Sequence, residues 1–141
     1  MAAIQFFEED VSYTLKNKTA VRKWITDTII AEGDKLSELT YIFCSDAYLL
    51  TMNQQYLDHD TYTDIITFDN SEEEGVIVGD IFISAERIKD NAAKFAVTET
   101  DEMHRVMIHG ALHLLGYGDK TPAEKQKMTL KEDFYLSKRN F

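Results

Sequence analysis

The chain has 141 residues, of which 44% are hydrophobic, and this size and composition are typical of one globular domain with a buried core. Its 25 acidic and 15 basic residues give a net charge of -10, and a uniformly acidic surface repels nucleic acids unless a basic patch or a bound cation intervenes. The sequence has no apolar run of about 18 residues, no signal-peptide pattern and a single cysteine, so we expect one cytoplasmic domain over residues 1–141 with no membrane contact.

The first part of the chain alternates strand and helix patterns. Residues rich in β-forming side chains predict strands at 4–7 and at about 39–44. Apolar residues at helical spacing predict helices over 17–32 and 45–56, and Asn17 is the expected cap of the first. The predicted order of elements is therefore β-α-β-α.

Two strands and a helix are predicted next. Residues 64–68 and 76–83 are rich in β-forming side chains and are separated by turn-forming residues, which predicts a hairpin. Gly79 lies inside the second of these strands, which indicates a bulge or a close approach of another chain segment. Ser84 is expected to cap a helix whose inward-facing residues end with Phe95.

The first of the last two predicted helices contains the histidine-rich segment. Thr98 and the acidic residues after it open a helix whose apolar residues cover most of its circumference, so this helix should be central and buried. Gly116 is expected to end it. The sequence Thr121-Pro122-Ala123-Glu124 then combines a cap, a first-position proline and a capping-box glutamate, which predicts the start of the final helix.

His109 and His113 lie near the end of the buried helix, and Asp119 follows them. A separation of four residues puts both imidazoles on one helix face with about 6 Å of axial rise between them, so they can share a metal ion. With Asp119 they form a three-ligand set that leaves one position open, as in catalytic zinc sites. The alternative is a pair of core histidines that each make an ordinary hydrogen bond.

Gly110 weakens the reading of this segment as a peptidase site. In helical zinc peptidases the residue after the first histidine is a glutamate that acts as general base, and here it is glycine. A glycine within a helix costs roughly 1 kcal/mol relative to alanine, so we expect it to serve close packing against a strand or a substrate. A metallopeptidase is therefore the weaker alternative.

Three segments carry a resemblance to a known family. The stretch HGALHLLGY at 109–117, with MNQQYLDHDTYTDIITF and GDIFIS upstream, resembles the YbeY family of bacterial metal-dependent endoribonucleases. The resemblance implies an α+β fold in one small domain, in which a mixed sheet of about four strands packs against about five helices and a central buried helix carries both histidines. It implies a single-strand-specific endoribonuclease of ribosomal RNA maturation and ribosome quality control, whose partners are RNA and the ribosome or its associated proteins.

The sequence departs from the usual pattern of that family at the third ligand. The family usually has a Gly-Tyr-Asp-His run, and without a gap Gly118 and Asp119 stand where the aspartate and histidine are usual. With one inserted residue, Asp119 would match the aspartate and Lys120 the histidine, which would leave two ligands; we prefer the ungapped alignment because a lysine would oppose a cation. Aspartate is a competent zinc ligand, so we expect His109, His113 and Asp119 to hold one divalent ion. Zinc is the expected metal, and the added negative charge makes manganese or magnesium an alternative.

A second departure concerns the substrate phosphate. The family resemblance calls for an arginine where this chain has Leu57. Arg105 precedes His109 by one helical turn, so it is the predicted substitute for binding substrate, and an ion pair with Asp101 is the alternative. The missing arginine and the acidic surface favour a different hypothesis, a ribosome-associated binding module with a structural or lost metal site.

No general base is assigned from the sequence. Asp80 and Glu102 are candidate carboxylates, but the end of a strand or a helix turn explains each of them without a catalytic role.

Overall fold

The computed structural model describes residues 3–56 and 63–141. Within this part of the chain the strands are β1 (Ile4–Glu8), β2 (Lys35–Cys44), β3 (Ile65–Asp69) and β4 (Val76–Ser84). The helices are α1 (Lys18–Ala31), α2 (Asp46–Tyr56), α3 (Ala85–Phe95), α4 (Glu99–Leu114) and α5 (Pro122–Leu136). None of these helices is both long and apolar enough to cross a membrane.

The strands form one mixed sheet in the order β1-β2-β4-β3. The pairs β1/β2 and β2/β4 are parallel, and β3/β4 is the predicted antiparallel hairpin. β2 begins at Lys35, earlier than its sequence pattern indicated, because its first residues pair with the start of β4 across an irregularity between Leu36 and Glu38. These elements confirm the expected α+β fold.

The two faces of the sheet are covered by different helices. Ile77, Ile81 and Ile83 of β4 belong to the main core, which also includes buried residues of α1, α3, α4 and α5. Phe82 packs on the other face, in a smaller cluster with Leu49 of α2. The period-two alternation of β4 therefore sends its isoleucines towards α4 and its phenylalanine towards α2.

Most of the predicted helix caps are confirmed. The side chains of Ser84, Thr98 and Thr121 each accept a hydrogen bond from a backbone N–H three residues later. Asn17 stands at the N-cap position of α1 but makes no side-chain cap bond, and its φ of 58° is left-handed. The prediction that Phe95 faces inward was wrong, because α3 ends there and the side chain is 56% exposed.

Two glycines allow close packing. A Cβ at Gly79 would lie 2.8 Å from the backbone oxygen of Phe68, so the predicted close approach is to the neighbouring strand. A Cβ at Gly110 would lie 2.8 Å from Ile81 Cδ1 and 3.0 Å from Ile65 Cδ1. The histidine-bearing turn of α4 is therefore seated directly on β3 and β4.

Candidate metal centre

The C-terminal end of α4 and the turn after it place three predicted ligands side by side. His109 and His113 lie on one face of α4, with ring centroids 4.5 Å apart. After the helix, Gly116 adopts a left-handed φ of 104°, and the backbone N–H of Tyr117 donates to Leu112 O at 3.0 Å. This turn reverses the chain and returns Asp119 to the histidine pair.

The separations between the three side chains suit a single divalent ion. Asp119 Oδ2 lies 3.3 Å from His109 Nε2 and 3.2 Å from His113 Nε2. One ligand atom from each residue lies within 4.8 Å of the others. Ligands at about 2.0–2.1 Å from a tetrahedral zinc ion are separated by about 3.3 Å, so both carboxylate–imidazole separations match those of ligands on one zinc ion.

A carboxylate of α5 orients the first imidazole. His109 Nδ1 lies 2.6 Å from Glu132 Oε2, and Arg105 Nη1 donates to Glu132 Oε1 at 2.8 Å. An ionised carboxylate can only accept, so Nδ1 carries the hydrogen and the lone pair is on Nε2. The Glu132 side chain is only 9% exposed, so this contact is sheltered from water. Such a partner fixes the ring orientation of a metal-binding histidine.

A backbone carbonyl orients the second imidazole. His113 Nδ1 lies 2.9 Å from the carbonyl oxygen of Tyr117, which can only accept a hydrogen bond. Nε2 of His113 is therefore also the nitrogen with a free lone pair. Both imidazoles present that atom to Asp119, and the donor set fits a divalent cation.

Carboxylates around His109 favour positive charge at this site. Burial alone would lower the pKa of His109, but the hydrogen bond and charge of Glu132, together with Asp119 and Asp64, raise it above its ordinary value. Burial raises the pKa of Asp64 itself, and His109 is among the charges that oppose this rise. A proton or a metal cation would relieve the concentration of negative charge here.

The three predicted ligands are partly exposed. The exposed fractions are 22% for the His109 side chain, 27% for His113 and 40% for Asp119. The three side chains therefore reach the surface, whereas Glu132, which contacts His109, is largely buried. A three-ligand site open to solvent has the form of a catalytic zinc centre rather than of a closed structural one.

Arg105 lies next to this centre, but its terminal nitrogens already have acidic partners. Nη1 contacts Glu132 Oε1 at 2.8 Å, and Nη2 contacts Asp133 Oδ1 at 2.6 Å. The alternative pair with Asp101 is not formed, since Asp101 binds Arg139 at 3.0 Å. Contact between Arg105 and a substrate phosphate stays a prediction, and Leu57 lies outside the described residues.

The two carboxylates considered as general bases lie in different places. Asp80 shares the face of β4 that carries Phe82, opposite the face packed on α4, and accepts a hydrogen bond from Asn70 at 3.1 Å. Glu102 is buried on α4, two turns before His109. Burial, with the charges of Asp64 and Glu132, raises the pKa of Glu102. A catalytic role for either carboxylate stays a prediction.

Sequence reasoning missed Glu132, although it touches both His109 and Arg105. The spacing of the residues in α5 could have identified Glu132, because it lies on the same helix face as Met128 and Tyr135, and all three are buried. A glutamate in the apolar stripe of a helix requires a buried partner.

Comparisons with known proteins agree with the fold and give the family. The sequence model of the family described as Endoribonuclease YbeY matches residues 3–140. A protein named Endoribonuclease YbeY from Cytophaga hutchinsonii is 56% identical, in an alignment that covers 98% of this chain and 96% of that protein. A protein of the same name from Amoebophilus asiaticus is 44% identical, and the alignment covers 96% of this chain and 92% of that protein. The solution structure of TM1509 from Thermotoga maritima superposes with a TM-score of 0.65 at 25% identity, covering 95% of this chain and 87% of that one.

Proposed function

This chain belongs to the endoribonuclease YbeY family, and we propose on this basis that it is a metal-dependent endoribonuclease that hydrolyses single-stranded RNA in ribosomal RNA maturation and ribosome quality control. The observation that carries the metal dependence is that one ligand atom from each of His109, His113 and Asp119 lies within 4.8 Å of the others. Both imidazoles have their other nitrogen committed to an acceptor, which supports their role as ligands.

His109, His113 and Asp119 would hold the ion, and zinc is the proposed metal. When bound, the ion supplies a positive charge for a phosphoryl oxygen and lowers the pKa of a coordinated water. Two neutral imidazoles and one carboxylate cancel only half of a divalent charge. The ion and its three direct ligands would therefore keep one positive charge for a phosphate oxygen, with the carboxylates of Glu132 and Asp64 nearby and a charge of -10 on the chain as a whole.

The residues around the ligands have separate tasks. Glu132 would keep the lone pair of His109 directed at the ion, and Arg105 binds the other oxygen of the Glu132 carboxylate. The Tyr117 carbonyl does the same for His113. The open side of the site, where the ligand side chains are partly exposed, would receive the RNA backbone, and a flexible single strand can bend into such a site more readily than a duplex.

The test is cleavage of matched single-stranded and duplex RNA by purified protein loaded with zinc or manganese. We expect the wild type to cleave the single strand, and His113→Ala and Asp119→Ala to lose most of that activity together with bound metal measured by elemental analysis. Equal cleavage by all three proteins would indicate a contaminating nuclease and would refute the catalytic proposal. RNA binding without cleavage by the metal-loaded wild type would favour the binding module instead.

A further inference from the structure

The loop that carries Asp119 is held by a residue of the next helix. We propose that Glu124 is a positioning residue for Asp119, and that Gly118 is glycine because the Glu124 carboxylate needs the space of a side chain at that position. This inference rests on the proposed metal site and adds to it a residue that acts through the backbone of the loop.

The first observation concerns the residues after Asp119. Glu124 Oε1 accepts hydrogen bonds from the backbone N–H of Thr121 at 3.0 Å and of Lys120 at 3.3 Å. The chain leaves Asp119 through these two residues, so one carboxylate fixes the direction in which the loop leaves the ligand.

The second observation concerns the residue before Asp119. A Cβ at Gly118 would lie 2.9 Å from Glu124 Cδ and closer still to Oε2. The φ of Gly118 is not in the left-handed region, unlike that of Gly116, so the backbone would accept another residue there. The contact with Glu124, and not backbone strain, is what favours glycine at this position.

Helix capping alone does not account for this arrangement. In the capping box at the start of α5, Thr121 Oγ1 accepts from the Glu124 N–H at 3.1 Å, and the glutamate side chain bonds back to the Thr121 N–H. The bond from Lys120 and the packing on Gly118 are additional to that motif, and they lie on both sides of Asp119. A Cβ at 118 would displace the end of the flexible Glu124 side chain, and we expect that shift to weaken the bonds of its carboxylate to the loop.

The experiment measures zinc affinity by chelator competition for the wild type, Gly118→Ala, Glu124→Ala and the double variant. Outer-sphere partners of metal ligands typically contribute 10–100-fold to affinity, so we expect each single change to weaken zinc binding about 10-fold. The double variant should bind zinc at least as tightly as the single variant with the lower affinity, because both changes remove the same contact. Glu124→Gln should stay within about twofold of the wild type, since its amide oxygen accepts the same bonds.

Thr98→Ala is the matched control, because it removes the side-chain cap of α4 without touching the loop. We expect it to lower the melting temperature and leave zinc affinity unchanged. Wild-type affinity in Glu124→Ala, additive losses in the double variant, or an equal loss in Thr98→Ala would each overturn the role of Glu124. Unchanged affinity in His113→Ala would instead overturn the metal site itself, so the two failures are distinguishable.

Discussion

The contact between Glu132 and His109 gives the sharpest prediction, which is tested by Glu132→Gln. Both neighbours of this carboxylate are donors, with Arg105 Nη1 at one oxygen and His109 Nδ1 at the other. Glutamine has the same shape but only one acceptor oxygen, and its amide nitrogen is a donor. One of the two contacts therefore becomes a clash between donors, unless the hydrogen of His109 moves from Nδ1 to Nε2 and so removes the lone pair that a metal ion would need.

The magnitude follows from the burial of this contact. Glu132 is 7% exposed, so water cannot easily replace the lost acceptor. An unsatisfied buried donor costs about 1–3 kcal/mol, and we expect that loss in the free energy of unfolding of the metal-free protein in urea. If His109 turns to recover its bond, Nε2 leaves the ligand position, so zinc affinity should fall about 10–100-fold.

Asp133→Asn is the control for the effect on Arg105. Asp133 also binds that guanidinium, but its side chain is 56% exposed and it makes no contact with His109 in the described part of the chain. We expect Asp133→Asn to change stability by less than about 1 kcal/mol and zinc affinity by less than twofold. Wild-type zinc affinity in Glu132→Gln would refute the orienting role of Glu132.

Three further predictions concern stability and are read from urea unfolding. Burial and the charge of Arg139 lower the pKa of His104 from 6.5 to about 4, so the unfolded chain binds a proton at His104 at a higher pH than the folded chain does. The free energy of unfolding should therefore be unaffected by this histidine above pH 6.5 and fall by up to roughly 3 kcal/mol as the pH decreases towards 4. His104→Gln should remove that part of the pH dependence. Gly79→Ala should destabilise by about 1–3 kcal/mol because the new Cβ meets the backbone oxygen of Phe68, which cannot move aside as a side chain can, and an unchanged midpoint would contradict this packing. Glu32→Ala should lower the free energy of unfolding by a similar amount, since Tyr117, Tyr135 and Lys131 lose the carboxylate to which all three donate. A decrease below about 0.5 kcal/mol would mean that water replaces this acceptor.

Local patterns predicted most of the elements, and non-local contacts explain the errors. Ser84, Thr98 and Thr121 were identified as caps because the bond they make reaches only three residues along the chain. The start of β2 at Lys35 depends on its pairing with β4, which no pattern in that segment records. The exposure of Phe95 likewise depends on where α3 ends, since its spacing after Ile88 and Ala92 fits an inward face.

The same division applies to the site. His109 and His113 were predicted as a pair because helical spacing alone brings them together. Glu132 was missed because it lies 23 residues further along, and its contact with His109 depends on how α5 packs against α4. Arg105 was predicted from its position one turn before His109, but the carboxylates that bind it also belong to α5. Contacts between helices distant in sequence therefore determine the surroundings of the ligands.

The third ligand connects these observations. Aspartate is shorter than the histidine that the family resemblance implies at this position, so an aspartate ligand needs its backbone close to the histidine pair, and Asp119 Oδ2 lies 3.2–3.3 Å from both Nε2 atoms. The turn at Tyr117 brings the chain back, and the space at Gly118 lets the Glu124 carboxylate support it from the outside. If Asp119 is the third ligand, we expect Gly118 and Glu124 to act together, because the space at Gly118 and the bonds of the Glu124 carboxylate both concern the loop that carries Asp119.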